Sequence, residues 1–337
     1  MKAAMICDHS LDPRLRKRVS WLQSANYEVT IFTDSSRGRH FSDNQFHENP
    51  LSTINYKYLS KFDLIYISGA KVLIDEMILF YRLSKKKNRL VYEIPDLPLR
   101  SKHWIINKLY LLVFKFLISK IFKNLVITSN GFLSCLPKNK NYLLCENLPP
   151  ESLIPSTNFN KKRTMRIGFV GALRYPKQML MLIRFCLENG KSASFYGGPK
   201  ENQKYLEKLC EENGLDIKEN IKFFGDYNQS DLQEIYNEID FVYSVYDASQ
   251  PNVRLALPNK LYESQLFRTP IIVASETYLS HCVSELNIGF SVDSINYEQF
   301  SYDMKNGLNK YFEIDSSNVI KNIKESQAIF DNWIGHL

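Results

Sequence analysis

Short apolar segments rich in β-formers alternate with stretches of helical periodicity along the whole chain. Some of these segments, such as residues 167–170, are almost uninterrupted in their apolar character, as in strands buried on both faces of a sheet. This alternation is typical of βαβ units on parallel sheets and predicts an α/β fold. The predicted strands are Lys2–Cys7, Glu28–Thr33, Phe62–Ile67, Arg89–Ile94, Leu125–Thr128, Tyr142–Cys145, Met165–Val170, Ser192–Tyr196, Ile221–Phe224, Phe241–Val245 and Pro270–Ala274.

A polar, proline-bearing segment without periodicity, residues 149–163, interrupts this alternation near the middle of the chain and is interpreted as a linker. A length of 337 residues also fits two domains better than one. We predict a Rossmann-like domain over residues 1–160 and a second over residues 164–315. A C-terminal helix over residues 316–337 is expected to pack back toward the first domain.

The two halves of the chain carry opposite net charge. Up to Arg163 there are 26 Lys and Arg against 13 Asp and Glu, a net charge of +13, and the remainder has 17 against 23, a net charge of −6. Halves of opposite sign indicate different partners, and a basic half fits a nucleic acid, a membrane surface or a phosphorylated substrate. Because no recognised nucleic-acid-binding module is present, we expect no nucleic-acid partner.

One long apolar segment, Trp104–Phe122, is interrupted by Lys108, Lys115 and Lys120. Each lysine would cost a few kcal/mol at the centre of a bilayer, so the segment is not expected to span a membrane. On a helical wheel the lysines fall within an arc of about 140° and the rest is apolar. The helix is either a core helix whose lysines reach solvent or a helix that contacts an anionic membrane, and the basic half favours the membrane.

The cellular compartment is predicted from the N-terminus and the cysteines. The first residues reach Asp8 after a short apolar run without a cleavage region, so we expect no secretory signal. The six cysteines lie far apart and form no CxxC or Cys/His pattern, which argues against structural zinc and disulfides. A reducing, cytoplasmic setting fits this pattern.

The first candidate site follows the first predicted strand. Asp12 is a good N-cap and Pro13 suits the first helical position, so a helix is expected to begin here. Its free N–H groups, its dipole and nearby cations including Arg14 and Arg18 make an anion site. The alternative is a capped helix with a solvated basic face.

A second candidate site is the turn that follows the strand ending at Val170. Gly171 opens the turn, and Arg174 and Lys177 follow it, so that two cations could neutralise a diphosphate near the end of the strand. The spacing matches neither the GxGxxG dinucleotide fingerprint nor a P-loop.

A third candidate site begins at Pro258, which suits a helix start. Asn259, Lys260 and Glu263 lie on roughly the same face of this predicted helix. The carboxylate could accept two hydrogen bonds from a vicinal diol such as a ribose, and the helix N-terminus could receive a phosphate. The alternative is that Glu263 is an ordinary exposed helical glutamate.

These segments, in this order and spacing, resemble the GT-B glycosyltransferases, specifically the large retaining family 4-like group of bacterial capsule, O-antigen and mannosyl transferases. The resemblance covers most of the chain and implies two doubly wound Rossmann-like domains facing across a cleft. The segments that carry it are Asp12–Arg14, Val91–Leu97, Thr128–Phe132, Asn147–Pro149, Phe169–Arg174, Phe223–Gly225 and Pro258–Glu263.

The resemblance implies a role for each candidate residue. In the C-terminal domain it implies donor diphosphate binding by Gly171, Arg174, Lys177, Asn259 and Lys260, ribose binding by Glu263, and base binding by Phe224, Gly225 and Tyr227. In the N-terminal domain it implies acceptor binding by Asp12, Arg14 and Arg18, and the catalytic candidates are Asp8, His9 and Asp96. No metal or cofactor is expected, because cations and a helix dipole stabilise the leaving diphosphate.

The implied activity is transfer of a sugar from a nucleoside-diphosphate sugar to a glycan or polyprenyl-diphosphate-linked acceptor. The setting would be bacterial surface polysaccharide synthesis at the cytoplasmic face of the membrane, with retention at the sugar carbon. Two positions depart from the family pattern: Leu255 replaces the first of two paired glutamates, and Pro95 stands where a histidine is usual. The alternatives are a catalytically weak partner subunit of another glycosyltransferase and a GT-B sugar-nucleotide epimerase or hydrolase.

Overall fold

The computed structural model describes residues 1–8, 12–34, 48–86, 89–99, 103–155, 166–217 and 220–337. Contacts divide the chain into two compact units. Unit 1 comprises Met1–Asn147 together with Glu325–Leu337, and unit 2 comprises Leu148–Lys324. Each unit is a parallel sheet with helices packed on it, which confirms the α/β class.

The described part of unit 1 contains a sheet of seven parallel strands in the order β3-β2-β1-β4-β5-β6-β7. The strands are β1 (Lys2–Cys7), β2 (Glu28–Thr33), β3 (Glu48–Pro50), β4 (Leu64–Ser68), β5 (Leu90–Ile94), β6 (Asn124–Ile127) and β7 (Asn141–Leu144). The helices are α1 (Pro13–Ser24), α2 (Tyr56–Leu59), α3 (Ala70–Asp75), α4 (Met77–Ser84) and α5 (Trp104–Ile121), with 3₁₀ turns at Leu51–Thr53 and Asn130–Cys135.

The described part of unit 2 contains a sheet of six parallel strands in the order β10-β9-β8-β11-β12-β13. The strands are β8 (Arg166–Val170), β9 (Ser192–Tyr196), β10 (Ile221–Gly225), β11 (Phe241–Ser244), β12 (Ile271–Ala274) and β13 (Gly289–Val292). The helices are α6 (Pro176–Glu188), α7 (Lys200–Glu212), α8 (Leu232–Asn237), α9 (Pro251–Leu255), α10 (Asn259–Leu266), α11 (Tyr278–Leu286) and α12 (Tyr297–Leu308), with 3₁₀ turns at Glu151–Leu153 and Gln229–Asp231. The last helix, α13 (Ser317–Gly335), begins in unit 2 and ends in unit 1.

Alternate residues of the strands supply the cores on the two faces of each sheet. In unit 2, Ile167 and Phe169 of β8 belong to one apolar cluster and Val170 to the other. In unit 1, the cluster on one face of the sheet includes α1 and the end of α13, where the rings of Trp21 and Phe330 lie 5.2 Å apart. Burial on both faces explains why the strands read as continuous apolar runs.

The predicted strands are all present, with ends displaced by at most two residues. Strands β3 and β13 were not predicted from the sequence. Strand β3 is a three-residue edge strand of Glu, Asn and Pro, and β13 is four residues long and starts with a glycine, so neither has a β-rich apolar pattern. The helix predicted over 104–122 is α5, and no helix in the described ranges is long and apolar enough to cross a bilayer.

Contacts place the boundary between the units at Asn147–Leu148, and the end of α13 from Glu325 onward belongs to unit 1. Of the linker predicted over residues 149–163, the structure describes residues 149–155, which belong to unit 2. The linker between two domains therefore stays a prediction.

Candidate functional site

The chain order of the strands in unit 2 reverses between β8 and β11, which are neighbours in the sheet. Strands β9 and β10 extend the sheet on one side of β8, and β12 and β13 extend it on the other side of β11. The loops that leave two strands at such a reversal diverge, and the crevice between them lies at the carboxyl ends of the strands. Here Gly171 follows β8 and Tyr246 follows β11.

Lys260 of α10 contacts one residue within β8 and one residue that follows β11. Its Nζ donates a hydrogen bond of 3.0 Å to the Tyr246 hydroxyl and lies 4.9 Å from the centre of the Phe169 ring. The residue is 8% exposed, and within the described ranges its ammonium has no carboxylate in an ion pair. Because a buried lysine is nearly always paired, this position favours an anionic ligand.

Gly171, which has no side chain, leaves the space that the Lys260 ammonium occupies. Its φ is +128°, a conformation that residues with a Cβ rarely adopt, and a Cβ here would lie 3.0 Å from Lys260 Nζ. The glycine turn predicted after β8 is therefore present. What it leaves room for is a lysine from a distant part of the sequence.

We expect Gly171→Ala to lower the free energy of unfolding by about 1–3 kcal/mol and to weaken anion binding, since the new methyl group displaces Lys260 Nζ. Denaturant unfolding and calorimetry with a nucleoside diphosphate measure the two effects. Gly190→Ala is the matched control, because Gly190 also has a positive φ of +60° but its Cβ would meet open space. The control should lose stability and keep its affinity; equal losses of affinity in both variants would contradict the role of Gly171.

Glu263 lies one turn after Lys260 and is buried, so the alternative that it is an exposed glutamate is wrong. Its Oε2 accepts a 2.8 Å hydrogen bond from the Tyr236 hydroxyl. Burial raises the pKa of Glu263, while the charge of Lys260 and the hydrogen bond from Tyr236 act in the opposite direction. The helical pattern could not show this burial, because α10 is enclosed on all sides from Lys260 to Leu266.

The other predicted diphosphate-binding residues lie near the same crevice but are exposed. Arg174 precedes α6, Lys177 lies in its first turn, and Asn259 begins α10. The Tyr175 ring beside Arg174 lies 5.1 Å from the Tyr246 ring. The turn after β8 and the Lys260 ammonium therefore share one contact residue, Tyr246.

Lys177 also faces the segment that follows β11. Partial burial acts to raise the pKa of Asp247, but hydrogen bonds from Ser249 and Gln250 and the charge of Lys177 lower it. Lys177 is thus within electrostatic reach of the residue next to Tyr246.

The predicted base-binding residues lie at the carboxyl end of β10, with Phe224 and Gly225 ending the strand and Tyr227 following it. Phe224 stacks nearly parallel on Tyr196, with ring centres 4.5 Å apart, and is 49% exposed. Gly225 has a φ of +74°, and its carbonyl accepts a 2.6 Å hydrogen bond from Gly197 N–H. Tyr227 is half-buried, and burial together with the charge of Glu263 raises its pKa.

In unit 1, the strand order reverses between β1 and β4, and Asp8 follows β1 at this point. Its Oδ1 accepts a 3.4 Å hydrogen bond from Val72 N–H. Gly69 follows β4 with a φ of +109°, and a Cβ there would lie 2.8 Å from the Asp8 carboxyl. Asp96 is exposed after β5, and His9 lies outside the described residues.

Asp12 caps α1 as predicted. Its side chain accepts hydrogen bonds of 3.0 Å from both Arg14 N–H and Arg14 Nε, and a further ion pair joins Arg14 Nη2 to the carboxylate. The charges of Glu93 and Asp96 also act on Arg14. The Arg14 guanidinium is therefore already partly neutralised by carboxylates of the same unit.

Arg18, predicted to bind the acceptor, is instead a core residue and is 1% exposed. Its Nη2 lies 3.3 Å from Glu93 Oε1 and from the Cys145 carbonyl, and its guanidinium carbon lies 4.8 Å from the centre of the Trp21 ring and 5.8 Å from that of Phe330. One helical turn beyond Arg14, α1 presents this position to the sheet. The prediction for Arg18 is therefore corrected to a structural role.

Two tyrosines complete the site in unit 2 without any sequence motif. No role was predicted from the sequence for Tyr236, which hydrogen-bonds Glu263, or for Tyr246, which hydrogen-bonds Lys260. The position of Tyr246 directly after a predicted strand was the available signal, because functional residues gather at the carboxyl ends of parallel strands.

No protein-family model matches the sequence, and none of the curated proteins matches it either. Solved structures do match over nearly the whole chain. HepE from Anabaena, in complex with UDP and glucose, is 15% identical with a TM-score of 0.65, and the match covers 98% of this chain and 95% of that one. A sucrose-phosphate synthase from Thermosynechococcus elongatus is 13% identical with a TM-score of 0.64, and the match covers 100% of this chain and 98% of that one.

The lipopolysaccharide outer core galactosyltransferase WaaB is 11% identical with a TM-score of 0.65, and the match covers 100% of this chain and 99% of that one. At such low identity the likeness defines the fold, while function has to be argued from the site. Two Rossmann-like units in one chain and these structural neighbours agree with the resemblance seen in the sequence. The protein therefore has the GT-B fold of these glycosyltransferases.

Proposed function

We propose that the chain is a glycosyltransferase that moves a sugar from a nucleoside-diphosphate sugar to a glycan or polyprenyl-diphosphate-linked acceptor. The observation that carries this proposal is the buried ammonium of Lys260, one helical turn from the buried carboxylate of Glu263, at the strand reversal of unit 2. A cation there suits a diphosphate, and a carboxylate suits the two hydroxyls of a ribose. The presence of UDP and glucose in the HepE structure supports the same class of ligand.

We assign the donor to unit 2. The first turn of α10 contains no acidic residue, so its N–H groups and dipole favour the diphosphate beside Lys260. Arg174 and Lys177, both exposed, add positive charge from the turn after β8. The base stacks on Phe224, which extends the existing pair with Tyr196.

The reaction follows from this charge distribution. The acceptor hydroxyl oxygen forms a bond to the anomeric carbon while the bond from that carbon to the diphosphate oxygen breaks. Lys260 and the neighbouring cations stabilise the charge that develops on the leaving diphosphate, so no metal or other cofactor is part of the proposal. With retention, the departing phosphate takes the proton of the acceptor hydroxyl, and the glutamate that Leu255 replaces is not needed for this transfer.

We assign the acceptor to unit 1, at the carboxyl ends of β1 and β5, where Asp8, Asp12, Arg14 and Asp96 lie. The proposed setting is the cytoplasmic face of a bacterial membrane, in the synthesis of surface polysaccharide. The net charge of +13 up to Arg163 supports an anionic environment for this half of the chain.

A panel of nucleoside-diphosphate sugars should identify the donor by thermal shift. A donor present at one hundred times its dissociation constant adds about 2.7 kcal/mol to the free energy of unfolding, which raises the melting temperature by several degrees. The free sugars and the matching nucleosides serve as controls and should give smaller shifts. If no member of the panel raises the melting temperature, the donor site is wrong.

Turnover assays separate the proposed activity from its alternatives. If the chain is a transferase, the purified protein alone releases nucleoside diphosphate and forms a glycosylated acceptor. A partner subunit binds the donor without turnover until a second glycosyltransferase is added. An epimerase or hydrolase converts the donor at the same rate with and without acceptor, and that result would contradict the proposal.

A further inference from the structure

Three helices of unit 1 carry a concentration of exposed apolar side chains that the fold does not use. Of the 21 large apolar residues exposed in the described part of the chain, 11 lie on α3, α4 and α5. We refer to them together as the apolar surface: Ile74, Met77, Ile78, Tyr81, Ile105, Ile106, Leu109, Tyr110, Leu112, Val113 and Phe116. Contiguous exposed apolar surface on a folded protein generally marks a binding face.

The orientation of α5 shows why its apolar side chains are exposed. Phe114 and Ile118 are buried, and the Phe114 ring lies 6.1 Å from the Tyr92 ring of β5. On the opposite side, Leu109, Leu112 and Phe116 are 61%, 58% and 61% exposed. A helix on the surface of a protein normally turns polar residues outward at these positions. The sheet therefore buries one side of α5. The apolar residues of the other side have no protein partner in the described part of the chain.

The neighbouring helix, α4, also has exposed apolar side chains. Helix α4 packs beside α5, with the rings of Phe80 and Phe122 at 6.4 Å, and Ile78 on α4 is 69% exposed. The exposed aromatic rings have lysines next to them. Lys85 Nζ lies 4.8 Å from the centre of the Tyr81 ring. Lysine stems that run along apolar surface and hold their ammonium at its edge are suited to a boundary between water and hydrocarbon.

Positive charge predominates on α5 and in the sequence around it, and the carboxylates within the apolar surface are Asp75 and Glu76, where α3 meets α4. Between Asp96 and Glu146 the sequence contains eight Lys and Arg and no Asp or Glu. On α5 itself the charged residues are Lys108, Lys115 and Lys120, and Lys120 Nζ lies 5.8 Å from the centre of the Phe116 ring. A second copy of the chain would bring an equally basic surface against this one, whereas anionic lipid headgroups have the complementary charge.

We propose that α3, α4 and α5 together form a docking surface for an anionic phospholipid membrane, in which the outward side chains of α5 enter the boundary between headgroups and acyl chains. The lysines at the edge of the apolar surface remain in the headgroup region and contact the lipid phosphates. The inference deepens the membrane setting of the proposed function by naming the surface and the mode of attachment, and it does not depend on the donor chemistry. The mode is insertion of an apolar face assisted by charge, rather than adsorption by lysines alone.

Sedimentation of the full chain with vesicles tests this surface. We expect binding to phosphatidylcholine vesicles that contain phosphatidylglycerol, and much weaker binding to phosphatidylcholine alone. Replacement of Lys108, Lys115 and Lys120 by Gln should weaken partitioning about fivefold for each lysine. Replacement of Leu109, Leu112 and Phe116 by Ser should weaken it at least tenfold at any salt concentration, since apolar insertion is not screened, in contrast to the charge contribution.

The matched control replaces three apolar residues of unit 2 that are equally exposed, Ile295, Tyr302 and Tyr311, by Ser. This control should bind vesicles as the unmodified chain does. Circular dichroism and the donor-induced thermal shift report whether each variant is folded. If the triple variant unfolds, Leu112→Ser alone replaces it, and a smaller loss of vesicle binding is then expected. A loss of membrane binding with an intact thermal shift also separates this inference from the donor assignment.

Three results would overturn the proposal. The first is equal binding to neutral and anionic vesicles, and the second is vesicle binding that the apolar substitutions leave unchanged. The third is a lipid-free dimer, seen by analytical ultracentrifugation, that disappears in the apolar variant, because a second copy of the chain would then cover the surface.

Discussion

Replacement of Lys260 by methionine is expected to weaken binding of a nucleoside diphosphate about 100-fold, because a buried charge-assisted contact contributes roughly 1.5–3 kcal/mol. Methionine keeps the packing against the Phe169 and Tyr246 rings and removes the ammonium. The loss of affinity should be seen only with ligands that have phosphate groups. Calorimetry should show a large difference between variant and unmodified chain for the diphosphate, and almost none for the nucleoside.

Two variants control for this result. Lys177→Met removes a cation that is exposed at the same edge, and we expect a loss of about threefold, the ordinary value of a screened contact. Tyr246→Phe keeps the ring and removes the hydroxyl that holds Lys260 Nζ, so an intermediate loss is expected. If Lys177→Met weakens binding more than Lys260→Met does, the exposed Lys177 at the start of α6 binds the anion, and the assignment of Lys260 as the main diphosphate ligand is wrong.

Glu263→Gln is expected to raise the stability of the free protein while weakening donor binding about 30-fold. Burial raises the pKa of Glu263 in the folded chain. A raised pKa means that the contribution of this group to stability is fully present below its unfolded pKa and is lost as the pH rises through its folded pKa. At neutral pH the ionised carboxylate therefore destabilises the fold, and a neutral glutamine, which still accepts the hydrogen bond from Tyr236, removes that cost.

Thermal unfolding at several pH values measures the sign of this effect. The advantage of Glu263→Gln in melting temperature should be largest at neutral pH and should shrink as the pH falls toward the ordinary range of a carboxyl group. Glu211→Gln, at an exposed position of α7, should change neither stability nor donor affinity appreciably. A Glu263→Gln protein that is less stable and binds the donor normally would show that this carboxylate has a structural role.

A physical reason accounts for the destabilising charge that the proposed ligand site would carry. The fold keeps a cation and a carboxylate out of water at the strand reversal, where neither has an ideal partner, and a ligand with a diphosphate and a diol would satisfy both. By contrast, Arg18 and Glu93 in unit 1 form an ion pair with one another, and Glu93 Oε2 also accepts a hydrogen bond of 2.8 Å from the Tyr66 hydroxyl, while Arg18 Nε is buried without a hydrogen-bond partner in the described ranges. The difference between the two buried clusters is why we assign ligand binding to one and a structural role to the other.

The sequence by itself determined the features that depend on near neighbours. Strand and helix positions follow from apolar periodicity, the start of α1 follows from the capping oxygen of Asp12 two residues before Arg14, and the turn after β8 follows from a glycine that can adopt a positive φ. The opposite charges of the two halves and the order of the motifs along the chain also required no structure. These properties are local or additive, so a linear pattern contains them.

The tertiary structure decided which charged residues are enclosed and which are open. Arg18 is buried by Glu93, which is 75 positions away in the chain, and Lys260 reaches the turn at Gly171 from a helix of a different part of the unit. The outward side of α5 is likewise defined by where the sheet lies, since the helix has apolar residues both on the buried side and on the opposite side. Burial arises from contacts between distant segments, and within each unit the packing of helices on the sheet is what makes Arg18 a core residue and encloses Lys260 beside the turn at Gly171.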